Sequence, residues 1–215
     1  LASLAGLPMP LTVIQLLWLN LMTDGAPALA LAMEKGDPNI MESKPRPKEE
    51  SIIHGPMRIG IVVQTIMQTG AVLTAFLMGL YFVMQGQIPA GQNPLSFLLR
   101  YDWIGSKVDV QTAETMAFLT LALCELFRAY TVRSEKMSVF KLGVFGNKYM
   151  QYAVGLSILL TLLVVIVPFL QPIFNTHMPT ATEWVIVLVL AILPAIAEEI
   201  TKFFLRQQDK KFAVA

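Results

Sequence analysis

The sequence predicts an all-α fold, namely a polytopic bundle of transmembrane helices. Of its 215 residues, 55% are hydrophobic and only 14% are charged, and the mean hydropathy is +0.60. Five apolar segments are long enough to cross a hydrocarbon core, which takes roughly 20 apolar residues in a helix. Polar segments containing Pro or Gly separate them. This composition is typical of membrane proteins and excludes an ordinary soluble domain.

The five predicted spans follow from windows of sustained hydropathy, and the whole chain, 1–215, is predicted to be one membrane domain. The spans cover residues 10–33, 58–84, 113–130, 149–170 and 184–205. The first connection, 34–57, combines prolines with charges of both signs and predicts an extended segment that docks on another surface. No internal repeat is visible, which argues against a solenoid or an inverted-repeat transporter.

The charges are informative by position. A net charge of +1 gives no basic field, so no nucleic-acid partner is expected. The expected partner is membrane lipid. Fourteen of the sixteen basic residues flank one side of the predicted spans, which places these segments and the C-terminus in the cytoplasm and residue 1 outside. An outside start without a signal peptide predicts the C-terminal portion of a longer protein. The fourteen are Lys35, Lys44, Arg46, Lys48, Arg58, Arg128, Arg133, Lys136, Lys141, Lys148, Lys202, Arg206, Lys210 and Lys211.

The first span carries three oxygen-bearing side chains near its middle. Asn20, Thr23 and Asp24 stand three and four residues apart, which places them on one face of an α-helix. Pro27 lacks an N–H and should free backbone carbonyls near Thr23. Converging oxygens of this kind predict a site for a hard cation. The alternative is that Asn20 and Thr23 hydrogen-bond to neighbouring helices and that Pro27 only kinks the span.

Acidic residues also occur in the third and fifth spans. Glu125 lies well inside the third span and is expected to face the bundle, because ionisable groups at membrane depth usually serve a function. The alternative is an ion pair with Arg128, three residues later. In the fifth span, Glu198 and Glu199 precede Lys202 by four and three residues, and the three are expected to form a structural ion pair.

Other polar residues predict structural roles. Gln64 and Gln68 share a face of the second span and are expected to join helices. Glu114 is expected to be an interfacial charge at the outer end of the third span. His54 and His177 have no partner at a metal-ligand spacing, and both are expected to be solvated.

The polar residues belong to longer stretches that resemble one family. Residues 15–28, QLLWLNLMTDGAPA, resemble the sixth transmembrane helix of P-type calcium pumps of the sarco/endoplasmic reticulum type and their bacterial relatives. Residues 37–49 resemble the cytoplasmic loop that follows that helix. The resemblance continues through Glu125 and residues 133–135 to the last span. It implies that the five spans are the sixth to tenth helices of a ten-helix pump.

The resemblance also implies a function. Such a pump hydrolyses ATP through a phosphorylated aspartate and exports calcium from the cytoplasm with proton counter-transport. Asn20, Thr23 and Asp24 match the family's calcium ligands on the sixth helix, with Asp24 bridging two ion sites, and Glu125 matches the ligand on the eighth helix. Calcium takes six to eight oxygens, so four side chains cannot complete two sites.

The same resemblance assigns the catalytic parts of the pump to a portion outside this chain. No phosphorylation motif or phosphate-binding loop occurs here, so no catalytic or cofactor-binding residue is predicted, and ATP and magnesium are expected in the N-terminal part. The expected partners are the phosphorylation domain and the other transmembrane helices. A bacterial plasma membrane is the expected location. The alternatives are a sodium or proton pump of the P-type class and a non-catalytic membrane scaffold.

Overall fold

The computed structural model describes residues 1–36, 53, 55–89, 91–103, 105, 106, 108–134 and 137–214. Within these ranges every regular element is helical and no strand occurs, which confirms the all-α prediction. Most of the predicted docking segment 34–57, including His54, lies outside the described residues. The elements are a 3₁₀ turn (Ser3–Ala5), α1 (Val13–Leu19), a π-helical turn (Asn20–Gly25), α2 (Ala26–Ala32), α3 (Gly55–Met84), α4 (Pro94–Arg100), α5 (Gln111–Thr131), α6 (Val139–Leu142), α7 (Lys148–Ile166), α8 (Gln171–Phe174) and α9 (Ala181–Val214).

In the described part of the chain, three helices are long and apolar enough to cross a membrane. They are Met57–Met84, Lys148–Ile166 and Ala181–Gln207, which correspond to the second, fourth and fifth predicted spans. The first span is divided by the π-helical turn, and α5 carries Glu114, Glu125 and Arg128. The count of five spans therefore stays a prediction.

Local sequence explains where the helices begin and end. Thr12 and Gln15 form a reciprocal capping box at the start of α1, with the Thr12 hydroxyl accepting from the Gln15 amide at 3.3 Å. Helix α7 stops at Ile166, before residue 170, where the fourth span is predicted to end. Pro168 follows two residues later, and a proline disfavours the α conformation in the residue before it. The fifth span is longer than predicted, since α9 starts at Ala181 and continues past 205.

Two packed units position the polar residues. Helices α3, α5 and α9 contact one another and share a core that includes Ala75, Met116 and Val187. A Cβ built on Gly79 would lie 2.4 Å from the Ala113 Cα, so α3 and α5 approach closely at this point. The π-helical turn contacts α5 and α7, and α2 also packs against both of these helices. The first helical segment, from α1 through the π turn to α2, therefore lies beside α5 and α7.

Candidate cation site

The π-helical turn at Asn20–Gly25 follows from the proline just after it. In an α-helix the carbonyl of Thr23 would pair with the nitrogen of Pro27, which has no hydrogen. In a π turn each carbonyl accepts from the N–H five residues later, so the residue opposite Pro27 becomes Met22. The segment remains helical throughout, and its register changes before Pro27. The carbonyl that lies opposite Pro27 in the structure is that of Met22, whereas the prediction placed the freed carbonyls near Thr23.

A side chain of α7 supplies the donor that Pro27 lacks. The Ser157 hydroxyl donates to the Met22 carbonyl at 2.6 Å, and only 1% of Ser157 is exposed. Ser157 is not among the residues predicted from the sequence to line the site. Its signal was a small hydroxyl within an apolar span, because such side chains usually hydrogen-bond to a neighbouring helix in a membrane.

The π turn separates the three predicted ligands into two environments. Asn20 and Asp24 are exposed, whereas Thr23 is buried and its hydroxyl donates to the Leu19 carbonyl at 2.7 Å. The prediction of one shared face is wrong for Thr23. A π turn holds more residues than the 3.6 of an α-helix, so an offset of four returns to the same face and an offset of three does not.

Asp24 is the carboxylate of this turn. Its Oδ1 lies 3.4 Å from the Thr23 hydroxyl, and among the residues that the structure describes it has no cationic partner. Asn20, Thr23 and Asp24 present oxygen, the atom that hard cations prefer. Across the described ranges no group of three or more His, Cys, Asp and Glu side chains is close enough to hold a metal. The turn therefore offers part of a coordination shell.

Glu125 faces α3. Its Oε1 accepts from Gln68 Nε2 at 2.6 Å, which confirms that Gln68 joins two helices, and its Oε2 lies 3.8 Å from Arg128 Nη1. These residues and Gln64 line an open cleft of about 530 Å³. In the described part of the chain, no hydrogen bond or ion pair joins Glu125 to Asn20, Thr23 or Asp24. The structure brings Thr23 and Asp24 together and leaves Glu125 with other partners.

A partly buried ion pair holds the end of α2 that the predicted orientation places in the cytoplasm. Arg133 donates from Nε and Nη2 to the two carboxylate oxygens of Glu34, at 2.9 Å each. Asn147 Nδ2 donates to Glu34 at 2.7 Å and to the Ala30 carbonyl at 2.9 Å. The Arg133 hydrogen bond is the main reason that the pKa of Glu34 is lowered. We refer to Glu34, Arg133 and Asn147 as the α2 clamp.

Comparison with known proteins identifies the family. The family described as cation transporting ATPase, C-terminus, matches residues 8–204. The chain belongs to this family. Calcium-transporting ATPase 1 of Bacillus cereus is 34% identical over 209 residues, which are 94% of this chain and 22% of that protein. The calcium-transporting ATPase of Bacillus subtilis is 37% identical over 193 residues, 90% of this chain and 19% of that protein.

A mammalian relative shows the breadth of the family. Calcium-transporting ATPase type 2C member 1 of Mus musculus is 30% identical over 212 residues, 98% of this chain and 20% of that protein. The chain thus spans about a fifth of the length of the relatives it matches. As a cation transporting ATPase segment with apolar spanning helices, it is an integral membrane protein, and the predicted resemblance to cation pumps is confirmed.

Two of this ATPase segment's other polar clusters lie near opposite ends of α5. The predicted ion pair in the fifth span is confirmed: Lys202 Nζ lies 3.6 Å from Glu198 and 3.9 Å from Glu199, and it also donates to the Thr131 carbonyl. The prediction of a solvated His177 is wrong, because its Nε2 lies 3.0 Å from Glu183 Oε2 and its Nδ1 lies 3.2 Å from the Thr115 hydroxyl.

Glu114 lies near the start of α5, and its position at the membrane interface stays a prediction. It is buried within the protein and accepts a hydrogen bond from Asn175 Nδ2 at 2.5 Å. Asn175 has a φ of 51°, a left-handed conformation that asparagine tolerates better than most residues. The chain after α8 therefore folds back against α5 and covers Glu114.

Proposed function

We propose that this chain is the cation-binding membrane portion of an ATP-driven calcium pump that exports calcium from the cytoplasm. One observation carries the proposal: within the described residues, Asp24 lies on a π-helical turn in an apolar segment and has no cationic partner. An ionised carboxylate at membrane depth is costly and usually marks an ion pathway. The names of the relatives from both Bacillus species and from mouse support calcium as the ion.

The proposed ligands come from two helices. Asn20, Thr23 and Asp24 contribute from the π-helical turn and Glu125 contributes from α5, with Asp24 bridging two calcium ions. Thr23 can contribute its oxygen while its hydrogen remains bonded to Leu19, because a hydroxyl keeps acceptor lone pairs. Calcium takes six to eight oxygens, so the remaining ligands come from helices outside this chain.

The proposed transport cycle requires a change of charge at these ligands. Carboxylates that release calcium toward the outside remain at membrane depth, where a bare charge is unfavourable. Protons are the proposed counter-ions, since they neutralise the same oxygens. The phosphorylation and nucleotide domains, with ATP and magnesium, belong to the remainder of the pump, and residues 34–57 dock against the phosphorylation domain.

The proposed orientation places five spans in a bacterial plasma membrane with the C-terminus in the cytoplasm. The concentration of Lys and Arg on one side of the predicted spans supports it. In this orientation the α2 clamp lies at the cytoplasmic end of the ion-binding segment. The clamp then adjoins the docking segment, because Glu34 is both a member of the clamp and the first residue of that segment.

Asp24→Asn in the complete pump tests the proposal. Membrane vesicles are assayed for ATP-dependent calcium uptake and for calcium-dependent phosphorylation of the pump. We expect Asp24→Asn to lose both at calcium concentrations that saturate the wild type, because the substitution removes a charged ligand and keeps its shape. Asp102→Asn is the control, since Asp102 is exposed outside the predicted spans.

Each alternative has its own result in this assay. Intact calcium uptake by Asp24→Asn would contradict the proposed ligand set. Phosphorylation that sodium stimulates and calcium does not would indicate a sodium pump. A complete protein that no ion causes to be phosphorylated would indicate a membrane scaffold.

A further inference from the structure

Ser157 lies on a helix that contributes none of the proposed calcium ligands, yet it contacts the turn that carries three of them. We propose that Ser157 is a positioning residue for the cation site: its hydroxyl holds the Met22 carbonyl and so fixes the shape of the π-helical turn. The expected effect of Ser157 on calcium binding rests on the proposed function. The contact with Met22 does not: it is 2.6 Å long, and only 1% of Ser157 is exposed.

The Met22 carbonyl needs a donor from another helix. In the π register its partner would be the nitrogen of Pro27, which carries no hydrogen. A bilayer interior offers no water to replace the missing bond, so each backbone group must be satisfied by protein. Ser157 is the side chain that the structure places within hydrogen-bond distance of this oxygen.

Loss of the hydroxyl would leave the carbonyl buried without this bond. Without this bond the π register loses its advantage over an α register, in which the carbonyl opposite Pro27 is that of Thr23. In an α register Asn20 and Asp24 would still share a face, because an offset of four keeps residues on one side of the helix. Thr23, three residues after Asn20, would rotate toward that face, so the relative positions of the three oxygens would change.

The neighbouring α2 clamp confines this effect to the turn. Asn147 at the start of α7 donates to the Ala30 carbonyl at 2.9 Å, so α7 contacts the first segment at two carbonyls. A Ser157 substitution leaves the second contact in place. The predicted consequence is a distorted cation site in a bundle that is otherwise assembled.

Thr161 provides a matched control on the same helix. It stands four residues after Ser157, hence on the same face, and it is 2% exposed. Within the described residues its Oγ1 has no hydrogen-bond partner. Thr161→Val thus removes a buried hydroxyl without removing a hydrogen bond, whereas Ser157→Ala removes both.

The experiment compares Ser157→Ala, Ser157→Thr and Thr161→Val in the complete pump. Two quantities are measured: the calcium concentration that gives half-maximal phosphorylation, and the backbone hydrogen exchange of residues 20–28. For Ser157→Ala we expect about a tenfold higher half-maximal calcium concentration, the effect of one lost hydrogen bond, with an unchanged maximum and faster exchange. Ser157→Thr should restore the wild-type values because it keeps the hydroxyl, and Thr161→Val should match the wild type.

The possible failures are distinguishable. Exchange in Ser157→Ala that equals the wild-type exchange would overturn the inference, as would faster exchange with unchanged calcium dependence. A shift in Thr161→Val as large as that in Ser157→Ala would also overturn it, because the loss of any buried hydroxyl would then suffice. If wild-type phosphorylation does not depend on calcium, the proposed function fails. The role of Ser157 is then tested by comparing the same three variants in hydrogen exchange and in the concentration of the stimulating ion that gives half-maximal phosphorylation.

Discussion

Substitution of Arg133 by alanine should allow the loop between α5 and α7 to detach from the end of α2. The Arg133 side chain is 2% exposed and that of Glu34 is 13% exposed, and two contacts of 2.9 Å join them. Exposed ion pairs contribute 0–1 kcal/mol, but removal of one partner from a buried pair costs about 3–5 kcal/mol. Arg133 is buried but Glu34 is only partly buried, so the expected cost of removing Arg133 lies between these two ranges, at about 2 kcal/mol.

The lost energy should appear as local opening of the loop after α5. Arg133 Nη1 also donates to the Gly143 carbonyl at 2.9 Å, immediately after α6. Lys141 in α6 is exposed, and trypsin can cut after it once the segment opens. A cost of about 2 kcal/mol corresponds to about a 30-fold larger open population, and cleavage follows that population when opening and closing are fast.

The assay is limited trypsin digestion of the complete pump in detergent, with the peptide ending at Lys141 followed by mass spectrometry. Arg133→Lys should fall between the wild type and Arg133→Ala, because an ammonium cannot make the paired contacts of a guanidinium. Arg58→Ala is the control, since Arg58 is an exposed arginine. Cleavage of Arg133→Ala within a factor of about three of the wild-type rate would refute the reasoning, because the clamp would then be worth less than about 1 kcal/mol.

Two further predictions concern the α2 clamp and the α3–α5 contact. The pKa of Glu34 is lowered from its ordinary value of 4.5, so the stabilising contribution of the clamp is complete above pH 4.5 and is lost as the pH falls through the lowered pKa. Hydrogen exchange of residues 139–147 should therefore become faster as the pH falls below 4.5. Protection of these residues that does not change with pH below 4.5 would contradict the prediction. Gly79→Ala should lower the thermal midpoint by overpacking against Ala113, at a cost of about 1–3 kcal/mol. Gly70→Ala in the same helix meets nothing within 4 Å and should be neutral or stabilising by up to about 1 kcal/mol; equal midpoints for the two variants would rule out the close contact.

The helices could be predicted from the sequence, because sustained hydropathy and the positions of prolines are local features of the chain. The boundaries of α3 and α5 agree with the predicted spans to within three residues. The change of the hydrogen-bond pattern before Pro27 was predictable for the same reason. Its register was not, because the choice between α and π depends on whether another helix supplies a donor to Met22, and Ser157 lies 135 residues away.

Side-chain partners between distant segments were the main source of error. Residues 171–183 are polar enough to indicate a solvated loop, which led to the prediction of a solvated His177. In the structure Gln111 Nε2 of α5 donates to the Thr176 carbonyl at 2.8 Å and the His177 N–H donates to the Thr115 hydroxyl at 3.2 Å, and these contacts hold His177 against α5. The hydrogen bond from Gln68 to Glu125 joins residues 57 positions apart, so only the general tendency of such a glutamine to join helices could be predicted.

The arrangement around α7 explains how a helical segment that contains a π turn is held in one shape. After Lys148, α7 contains no Asp, Glu, Lys or Arg, so it places no charge beside the proposed cation site. Its two contacts with the first segment, from Ser157 to Met22 and from Asn147 to Ala30, both end on backbone carbonyls. They hold the backbone of this segment, whereas the side chains of Asn20 and Asp24 are exposed. In the proposed pump, a neutral support of this kind would keep the turn in one shape whether or not an ion is bound at Asp24, because hydrogen bonds to the Met22 and Ala30 carbonyls involve no charged group.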